Sequence, residues 1–295
     1  EKTAVIEIAK AAGLTLLSEE ERNPLYTTTY GVGEVIKDAV RNGCRKFIVG
    51  IGGSATNDGG AGMLQALGFG LLKENGEQIP IGARGLEELA EITDDNVIPE
   101  LAECKFKIAC DVTNVLCGET GASAVYGPQK GADEEMTERL DRLLFSYASL
   151  VKKKIPKADS MYPGTGAAGG LGFAFLTFMD AQLESGIQIV IKETGLEQEI
   201  AKADLVITGE GRMDGQTAMG KAPIGIAKIA KKYGKPVIAF AGAAARDAGA
   251  CNEQGIDAFF PILREAVSLE AAMKRENAEA NMEAAVEQAY RLWRL

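Results

Sequence analysis

Histidine is missing from all 295 positions. Its absence excludes Ser-His-Asp and Cys-His catalysis and nearly every histidine-based zinc or iron site. No stretch of about eighteen apolar residues occurs either, so we expect no membrane-spanning helix. Basic residues are outnumbered, with 32 Lys and Arg against 42 Asp and Glu and a net charge of −10. Since there is no basic excess to neutralise phosphates, we expect neither a nucleic acid nor a membrane as partner.

Paired cysteine motifs are also missing. The five cysteines are widely spaced and none belongs to a CxxC pair, which excludes a zinc knuckle and a dense disulfide framework. Together with the lack of a signal peptide, this predicts a reduced, cytoplasmic protein. The chain opens at Glu1, without an initiator Met and next to an apolar segment, and we expect that its natural N-terminus precedes this residue.

Glycine, in contrast, is abundant, with 35 residues. The glycines cluster beside apolar runs, which is typical of turns between strands and helices rather than of a flexible linker. Around these turns we predict strands at 46–51, 106–111, 187–191, 204–208, 236–241 and 258–262. We predict helices from about 54 or 58, at 133–155, 169–185, 222–233 and 268–294, and a hairpin turn at 74–77.

Strands that alternate with helices predict an α/β fold with a parallel sheet covered on both faces. We expect a Rossmann-like α/β domain formed by 32–62 and 195–295. A second, inserted α/β domain of mixed strands would comprise 1–31 and 63–194, with a cleft between the two domains. In such sheets, ligands bind beyond the carboxyl ends of the strands, so the residues that follow each strand are the candidates for chemistry.

The segment after the strand at 204–208 carries two acids and two cations within twelve residues, Glu210, Arg212, Asp214 and Lys221. Carboxylates are ligands for Mg²⁺ and cations neutralise phosphate charge, so this segment suits an anionic, metal-bearing substrate. The alternative is a solvated polar loop. Functional residues concentrate on strand-end loops of this kind, which favours the first interpretation.

The segment after 46–51 contains Ser54, Thr56, Asn57 and Asp58 among glycines. Its backbone N–H groups could cradle an anion, although it matches neither a Walker A loop nor GxGxxG. The alternative is a turn in which Asp58 or Ser54 caps a helix.

Three further candidate segments follow along the chain. Asp111 and Asn114 follow the strand at 106–111, where Asp111 could bind Mg²⁺ or a hydroxyl or could form an Asx turn. Lys130 lies in a rigid turn and is either a phosphate ligand or a surface lysine. The glycine loop at 163–172 precedes an apolar helix and offers backbone N–H groups to an anion, including those of Gly166, Gly169 and Gly170. Together these groups suit phosphoryl transfer, in which a carboxylate can take the hydroxyl proton.

Five motifs in order resemble the bacterial glycerate kinase family, type I. They are IGGSATNDGGAG at 51–62, ACDVTN at 109–114, YGPQKGA at 126–132, PGTGAAGGLG at 163–172 and ITGEGRMD at 207–214. The resemblance implies transfer of phosphate from ATP, with Mg²⁺, to the 2-hydroxyl of D-glycerate, and 2-phosphoglycerate and ADP as products. 3-Phosphoglycerate is the lesser alternative.

The resemblance also implies roles for residues. Asp214 and Glu210 would bind the metal and, with Arg212 and Asp111, form the catalytic set. Substrate or nucleotide would contact a second set, namely Ser54, Thr56, Asn57, Asp58, Asn114, Lys130, Gly166, Gly169, Gly170 and Lys221. The family's Ala-Pro-Asp-Ser-Phe-Lys-type motif is absent from this sequence, and that motif would supply a first strand and further active-site groups.

Two other functions stay open. One is a phosphotransferase for another small hydroxy acid, and the other is a non-catalytic module that binds a nucleotide or an anion. A dehydrogenase is disfavoured, because no GxGxxG motif follows a strand. A homodimer also stays open, although the apolar stripe of the last helix is more simply explained by core packing.

Overall fold

The computed structural model describes residues 2–295, which divide into two compact units with the boundary between Gly186 and Ile187. Both units combine parallel strands with helices. The predicted α/β class is therefore confirmed. None of the helices in residues 2–295 is long and apolar enough to cross a bilayer.

The first unit is built on a sheet of four parallel strands in the order β1-β2-β5-β6, with a separate antiparallel pair β3-β4. Its strands are β1 (Lys2–Glu7), β2 (Cys44–Gly50), β3 (Gly70–Leu72), β4 (Glu91–Thr93), β5 (Lys105–Ala109) and β6 (Ala181–Glu184). Its helices are α1 (Ala9–Ala12), α2 (Tyr30–Arg41), α3 (Ala61–Ala66), α4 (Ala122–Tyr126), α5 (Glu134–Lys154) and α6 (Ala167–Phe178). Short 3₁₀ helices occupy Leu14–Leu16, Glu19–Glu21, Ala83–Glu88, Pro99–Glu103 and Pro128–Lys130.

Apolar periodicity explains how the helices cover this sheet. In α2, Val32, Ile36 and Val40 recur at every fourth position and are buried. The longest helix, α5, begins at a side-chain cap, since the Asp133 carboxylate accepts from the backbone N–H of Met136 at 2.8 Å. Aromatic rings from neighbouring strands then stack in the core, with the centroids of Phe47 and Phe106 4.6 Å apart.

The second unit contains a sheet of three parallel strands in the order β7-β8-β9. Its strands are β7 (Val206–Met213), β8 (Val237–Ala244) and β9 (Ala258–Pro261). Its helices are α7 (Gly186–Thr194), which starts at the last residue of the first unit, α8 (Leu196–Lys202), α9 (Gly215–Ala218), α10 (Ala222–Lys232), α11 (Ala250–Glu253), α12 (Leu269–Met273) and α13 (Arg275–Trp293). Two buried clusters hold this unit together, one around Val206, Ile224 and Val237 and a smaller one around Phe240, Ile262 and Ala289.

Five of the six predicted strands are confirmed as β2, β5, β7, β8 and β9. The predicted helices at 133–155 and 222–233 are confirmed as α5 and α10. The turn at 74–77 is confirmed as well, because Lys73 N–H bonds to the Glu77 carbonyl at 2.8 Å and a bridge joins Leu72 to Gln78.

Five expectations differ from the structure. The apolar alternation at 187–191 predicted a strand, but these residues belong to helix α7. The helix predicted for 169–185 ends earlier, because residues 181–184 form strand β6. Short apolar runs do not distinguish strand from helix by periodicity. The predicted helix at 268–294 is broken at Lys274, whose extended backbone separates α12 from α13. There, the Asn277 side chain donates to the Ala271 carbonyl at 2.8 Å and satisfies the end of α12.

The fourth correction concerns the helix after β2, which begins at Ala61 rather than near Ser54 or Asp58. The division of the chain also differs from the expected one. Residues 32–62 were expected to join 195–295, yet β2 pairs in parallel with β1 and β5 inside the first unit.

Candidate functional site

The first unit contains a cavity of about 350 Å³ at the carboxyl edge of its parallel sheet. The residues that follow β2 and β5 form two of its walls, as expected for a ligand site in an α/β sheet. Its charged or polar lining residues include Ser54, Asp111, Tyr126, Gln129 and Lys130. Among the described residues that line it, Asp111 carries the only carboxylate and Lys130 the only cation.

Lys130 is the most unusual of these groups, because its side chain is buried with only 2% exposed. Its ammonium donates to the Ser54 hydroxyl at 3.0 Å and to the Thr56 carbonyl at 2.7 Å. Burial lowers the pKa of Lys130 to about 8, although the nearby negative charge of Asp58 works in the opposite direction. The surface position that the sequence left open for Lys130 is therefore wrong.

Asp58 is completely buried, and its carboxylate accepts hydrogen bonds from backbone N–H groups. This resembles the helix-capping role that the sequence left open for Asp58 more than an anion-binding role. One carboxylate oxygen accepts from Thr29 N–H at 2.8 Å and from the Thr29 hydroxyl at 2.9 Å. The two oxygens also accept from Gly60 N–H at 3.1 Å and Gly62 N–H at 3.2 Å. Asp58 thus joins the start of α2 to the start of α3. Burial raises the pKa of Asp58, while these hydrogen bonds act to lower it.

The glycine-rich start of α6, where the backbone is not helical at 168–170, packs against the loop after β2 instead of presenting its glycines to solvent. Gly169 adopts φ +68°, and a Cβ there would lie 2.0 Å from the Thr56 carbonyl oxygen. The Gly59 N–H donates to the Gly169 carbonyl at 2.9 Å, and a Cβ on Gly170 would lie 2.7 Å from the Gly59 Cα. These two glycines allow two backbones to approach closely.

The Gly166 N–H, which we expected to contact an anion, has a partner inside the protein. It donates to the Asn114 carbonyl at 2.9 Å, so this group is already used inside the protein. The anion contact expected from the Gly166 N–H is therefore corrected to an internal hydrogen bond.

Of the three remaining polar residues of these loops, Asn57 and Asn114 have internal partners, whereas the Thr56 hydroxyl and the Asn57 amide oxygen are buried without a described hydrogen-bond partner. The Asn57 amide donates to the Ser123 hydroxyl at 2.9 Å, and the Asn57 and Thr56 side chains are almost completely buried. Asn114 accepts from the Tyr126 hydroxyl at 2.6 Å and donates to the Thr120 carbonyl at 2.9 Å. Of the side chains predicted from these loops, the cavity is lined by Ser54, Asp111 and Lys130.

A second polar group lies at the carboxyl end of β7 in the second unit. Thr217 connects its two acids, because its hydroxyl donates to Glu210 and its backbone N–H donates to Asp214 at 3.1 Å. Asp214 also caps α9, and its hydrogen bond from Thr217 N–H is the main reason that the pKa of Asp214 is lowered. Asp214 is therefore ionised at neutral pH.

Two cations and a further acid belong to the same region. The Lys221 ammonium lies 3.7 Å from an Asp214 carboxylate oxygen, and Arg212 is exposed on β7. The Asp247 carboxylate was not predicted, yet it lies within 2.7 Å of the position of a Cβ on Gly215. The structure thus brings Glu210, Asp214 and Lys221 together as the sequence proposed.

Sequence reasoning missed Thr217, Thr29 and Tyr126. For Thr217 a signal existed, since Asp214 followed three residues later by a hydroxyl residue resembles a capping box. For Tyr126, membership of the 126–132 motif was the signal. Thr29 offered none, because its contact with Asp58 spans 29 residues along the chain.

The donor chemistry around β7 fits Mg²⁺ in one of its usual modes. Within residues 2–295, no three acidic, cysteine or histidine side chains form a cluster that could bind a metal alone. Mg²⁺, however, is usually bound by one or two carboxylates together with substrate phosphates and water. Glu210 and Asp214 both bond to Thr217 and offer such a pair of oxygen donors.

Comparisons with known proteins identify the family. The family model described as "Glycerate kinase family" matches residues 1–294. A glycerate kinase of Halalkalibacterium halodurans is 50% identical over 274 residues, which cover 93% of this chain and 72% of that protein. A glycerate 2-kinase of Escherichia coli is 49% identical over 92% of this chain and 72% of its own length.

The fold agrees with this match. A crystal structure of a Salmonella typhimurium LT2 protein assigned as a glycerate kinase 2 superposes with a TM-score of 0.85 at 48% identity. The match covers 98% of this chain and 75% of that one. The chain therefore belongs to the glycerate kinase family and is a kinase.

Proposed function

We propose that this protein transfers the terminal phosphate of ATP to the 2-hydroxyl of D-glycerate and forms 2-phosphoglycerate and ADP. The observation that carries the proposal is the cavity of about 350 Å³ at the carboxyl edge of the first sheet. Its volume suits a small acid, and its wall carries one carboxylate and one ammonium. The relatives named glycerate kinase and glycerate 2-kinase support the choice of acid and hydroxyl.

Asp111 is the proposed proton acceptor for the substrate hydroxyl. It lines the cavity, and one of its oxygens accepts from Gly186 N–H at 3.0 Å, which orients the carboxylate. A carboxylate can take the hydroxyl proton in phosphoryl transfer, where the protein mainly positions groups and neutralises charge. Asp111 would thereby activate the acceptor without a histidine.

The group at the end of β7 is the proposed phosphate-binding region. Glu210 and Asp214 would hold Mg²⁺, which would neutralise charge on the nucleotide phosphates. Arg212 on β7 and Lys221 at the start of α10 add two cations. Since Asp214 is ionised and its side chain is 24% exposed, its carboxylate is available to such a complex.

Measuring ADP release with Mg²⁺-ATP and D-glycerate tests this function, with L-glycerate and glycerol as controls. Enolase added without phosphoglycerate mutase identifies the product, because enolase dehydrates 2-phosphoglycerate and not 3-phosphoglycerate. We expect D-glycerate-dependent turnover and an enolase signal. Turnover of D-glycerate without an enolase signal would identify 3-phosphoglycerate as the product. Turnover of a different hydroxy acid, without turnover of D-glycerate, would show that D-glycerate is not the substrate.

We also infer a reducing, cytoplasmic compartment. All five cysteines are free thiols, and two of them, Cys104 and Cys251, are buried. Burial raises the pKa of both thiols and keeps them protonated and unreactive. The net charge of −10, without a basic excess, leaves nucleic acids and membranes out of the proposed partners, which include a second copy of this chain as a homodimer.

A further inference from the structure

Lys130 presents an unusual electrostatic situation in the first unit. It is a buried cation whose two hydrogen-bond partners, the Ser54 hydroxyl and the Thr56 carbonyl, are both neutral. Buried charges in proteins are normally compensated by an opposite charge, because burial without compensation is costly. An ammonium has three N–H donors, and the hydrogen bonds described for Lys130 use two of them.

Asp58 is the anionic group whose charge raises the pKa of Lys130, and its oxygens already accept other hydrogen bonds. Its oxygens accept from Thr29, Gly60 and Gly62, and no hydrogen bond or ion pair between Asp58 and Lys130 is described. Asp58 therefore acts on Lys130 through its charge, without a direct hydrogen bond or ion pair. A direct counter-charge would have to come from the cavity that Lys130 lines.

The cavity also limits what kind of anion could fill this role. Asp111, on the β5 side of the wall, would repel a second negative group on the ligand. A triphosphate carries several negative charges, whereas a hydroxy acid carries a single carboxylate and otherwise neutral hydroxyls. The backbone of Gly52 and Gly53, without side chains, leaves room for these hydroxyls on the adjacent wall.

We propose that Lys130 is the specificity-determining residue for the acceptor, with its ammonium held by Ser54 and Thr56 so that it binds the carboxylate of the hydroxy acid. This inference rests on the proposed function and narrows it. It assigns Lys130 to the acid rather than to the nucleotide phosphates. The ligand class is a small 2-hydroxy monocarboxylate, distinguished from a polyol by its charge.

The test compares Lys130→Gln with Lys130→Arg. Glutamine removes the charge but can still donate to the Ser54 and Thr56 oxygens, and arginine keeps the charge. Lys152→Met is the matched control, because the Lys152 ammonium also donates to a backbone carbonyl, that of Ala158 at 2.6 Å, but does not line the cavity. Thermal unfolding of each variant verifies that it is folded.

For Lys130→Gln we expect the KM for D-glycerate to rise by about ten- to a hundredfold, as for a lost hydrogen bond to a charged group. The KM for ATP should stay within about twofold. Lys130→Arg, which keeps the charge, should raise the KM for D-glycerate much less than Lys130→Gln. A rise in the KM for ATP instead, or equal rises in the KM for D-glycerate in Lys130→Gln and Lys130→Arg, would overturn the proposal.

A pH profile supplies a readout that a structural role would not produce. The titratable groups that line the cavity or face Lys130 are Asp58, Cys110, Asp111 and Tyr126, and all of them remain in Lys130→Arg. We expect D-glycerate binding to the native protein to weaken above about pH 8, where the Lys130 amine loses its proton. Lys130→Arg should lose this dependence, because a guanidinium stays protonated, and an unchanged profile would contradict the proposal.

Equilibrium binding separates this proposal from the proposed function. D-glycerate, D-lactate and glycerol are titrated calorimetrically into the protein without nucleotide. If the native protein fails to turn over D-glycerate but binds D-glycerate and D-lactate through Lys130, the function fails and this inference stands. If D-glycerate is turned over while Lys130→Gln binds both acids as tightly as the native protein, the inference fails and the function stands.

Discussion

Lys130 and Lys221 are both candidate ligands of an anion, but the two units hold them in opposite ways. Lys130 is 2% exposed and bonds to two neutral oxygens. The Lys221 side chain is 45% exposed and lies 3.7 Å from an Asp214 oxygen. A buried cation must have its partners fixed when the chain folds, whereas an exposed ion pair contributes little to stability and can rearrange.

This difference suggests different tasks for the two regions. The cavity of the first unit is fixed in advance and can select a ligand by size and single charge. The polar residues after β7 are solvent-accessible and share their carboxylates with Thr217 and Lys221, so a metal and phosphates could regroup them. We expect substitutions in the first region to change stability and acceptor affinity together. In the second region they should change turnover with little effect on folding.

The largest expected effect is that of Asp214→Asn on turnover. Asn keeps the shape of the side chain but loses the charge that would hold Mg²⁺ against phosphate. Because such charge stabilisation is worth several kcal/mol in the transition state, we expect kcat to fall by about a hundredfold or more. Steady-state kinetics with Mg²⁺-ATP and D-glycerate measure the loss. Glu253→Gln, at an exposed acid of α11, is the control.

A near-normal kcat for Asp214→Asn would remove Asp214 from the catalytic group. It would also contradict the proposed division of tasks between the cavity around Lys130 and the group around Asp214, because the chemistry would then not depend on the charge of Asp214. The unfolding free energy should change little in either variant, since neither side chain is fully buried.

Asp58→Asn should have the next largest effect, and on stability. The amide cannot accept all the hydrogen bonds that Thr29, Gly60 and Gly62 donate to the carboxylate, so buried N–H groups lose their partner. We expect a loss of about 2–4 kcal/mol in unfolding free energy. Urea unfolding followed by circular dichroism measures it. A loss below about 1 kcal/mol would show that Asp58 does not hold α2 and α3 together.

The sequence predicted the parts of the molecule that depend on local pattern. Strand β2 ends at Gly50, strand β7 is followed directly by Asp214, and Asp133 precedes an amphipathic helix. The group around Asp214 was also predictable, because its members lie within twelve residues. The two regions therefore differ in predictability as well as in burial.

Contacts between distant segments could not be derived from pattern. Lys130 and Ser54 are 76 positions apart, and no local pattern predicts that the Lys130 ammonium is buried and donates to the Ser54 hydroxyl. The break at Lys274 and helix α7 were missed for a related reason, since their surroundings override local preference. Whether a lysine or an aspartate binds a ligand or stabilises the fold depends on its burial, and burial depends on contacts between distant segments of the folded chain.

The pH dependence of stability would sharpen the contrast between Lys130 and the exposed lysines. The pKa of Lys130 is about 8 in the folded protein, below its ordinary value of 10.5. The unfolded chain therefore binds more protons between these two values, and stability should rise with pH across that window. The rise should reach about 3 kcal/mol relative to Lys130→Gln, measured by urea unfolding from pH 7.5 to about pH 10.5. Equal slopes in both proteins would contradict the burial of a charged Lys130.

The smallest effect concerns the backbone of the cavity wall. Ala168 adopts φ +53° and ψ +39°, a left-handed conformation that costs an alanine about 1 kcal/mol and a glycine almost nothing. Its neighbour Ala167 has no positive φ, so glycine there only adds flexibility and removes a buried methyl group. Ala168→Gly should therefore raise the unfolding free energy by about 0.5–1 kcal/mol, while Ala167→Gly should lower it by about 1 kcal/mol. Opposite signs in paired urea titrations would show that the first unit maintains strain beside its cavity. Equal losses would mean that the Ala168 methyl group stabilises the wall by packing, and that the cavity is held by contacts alone.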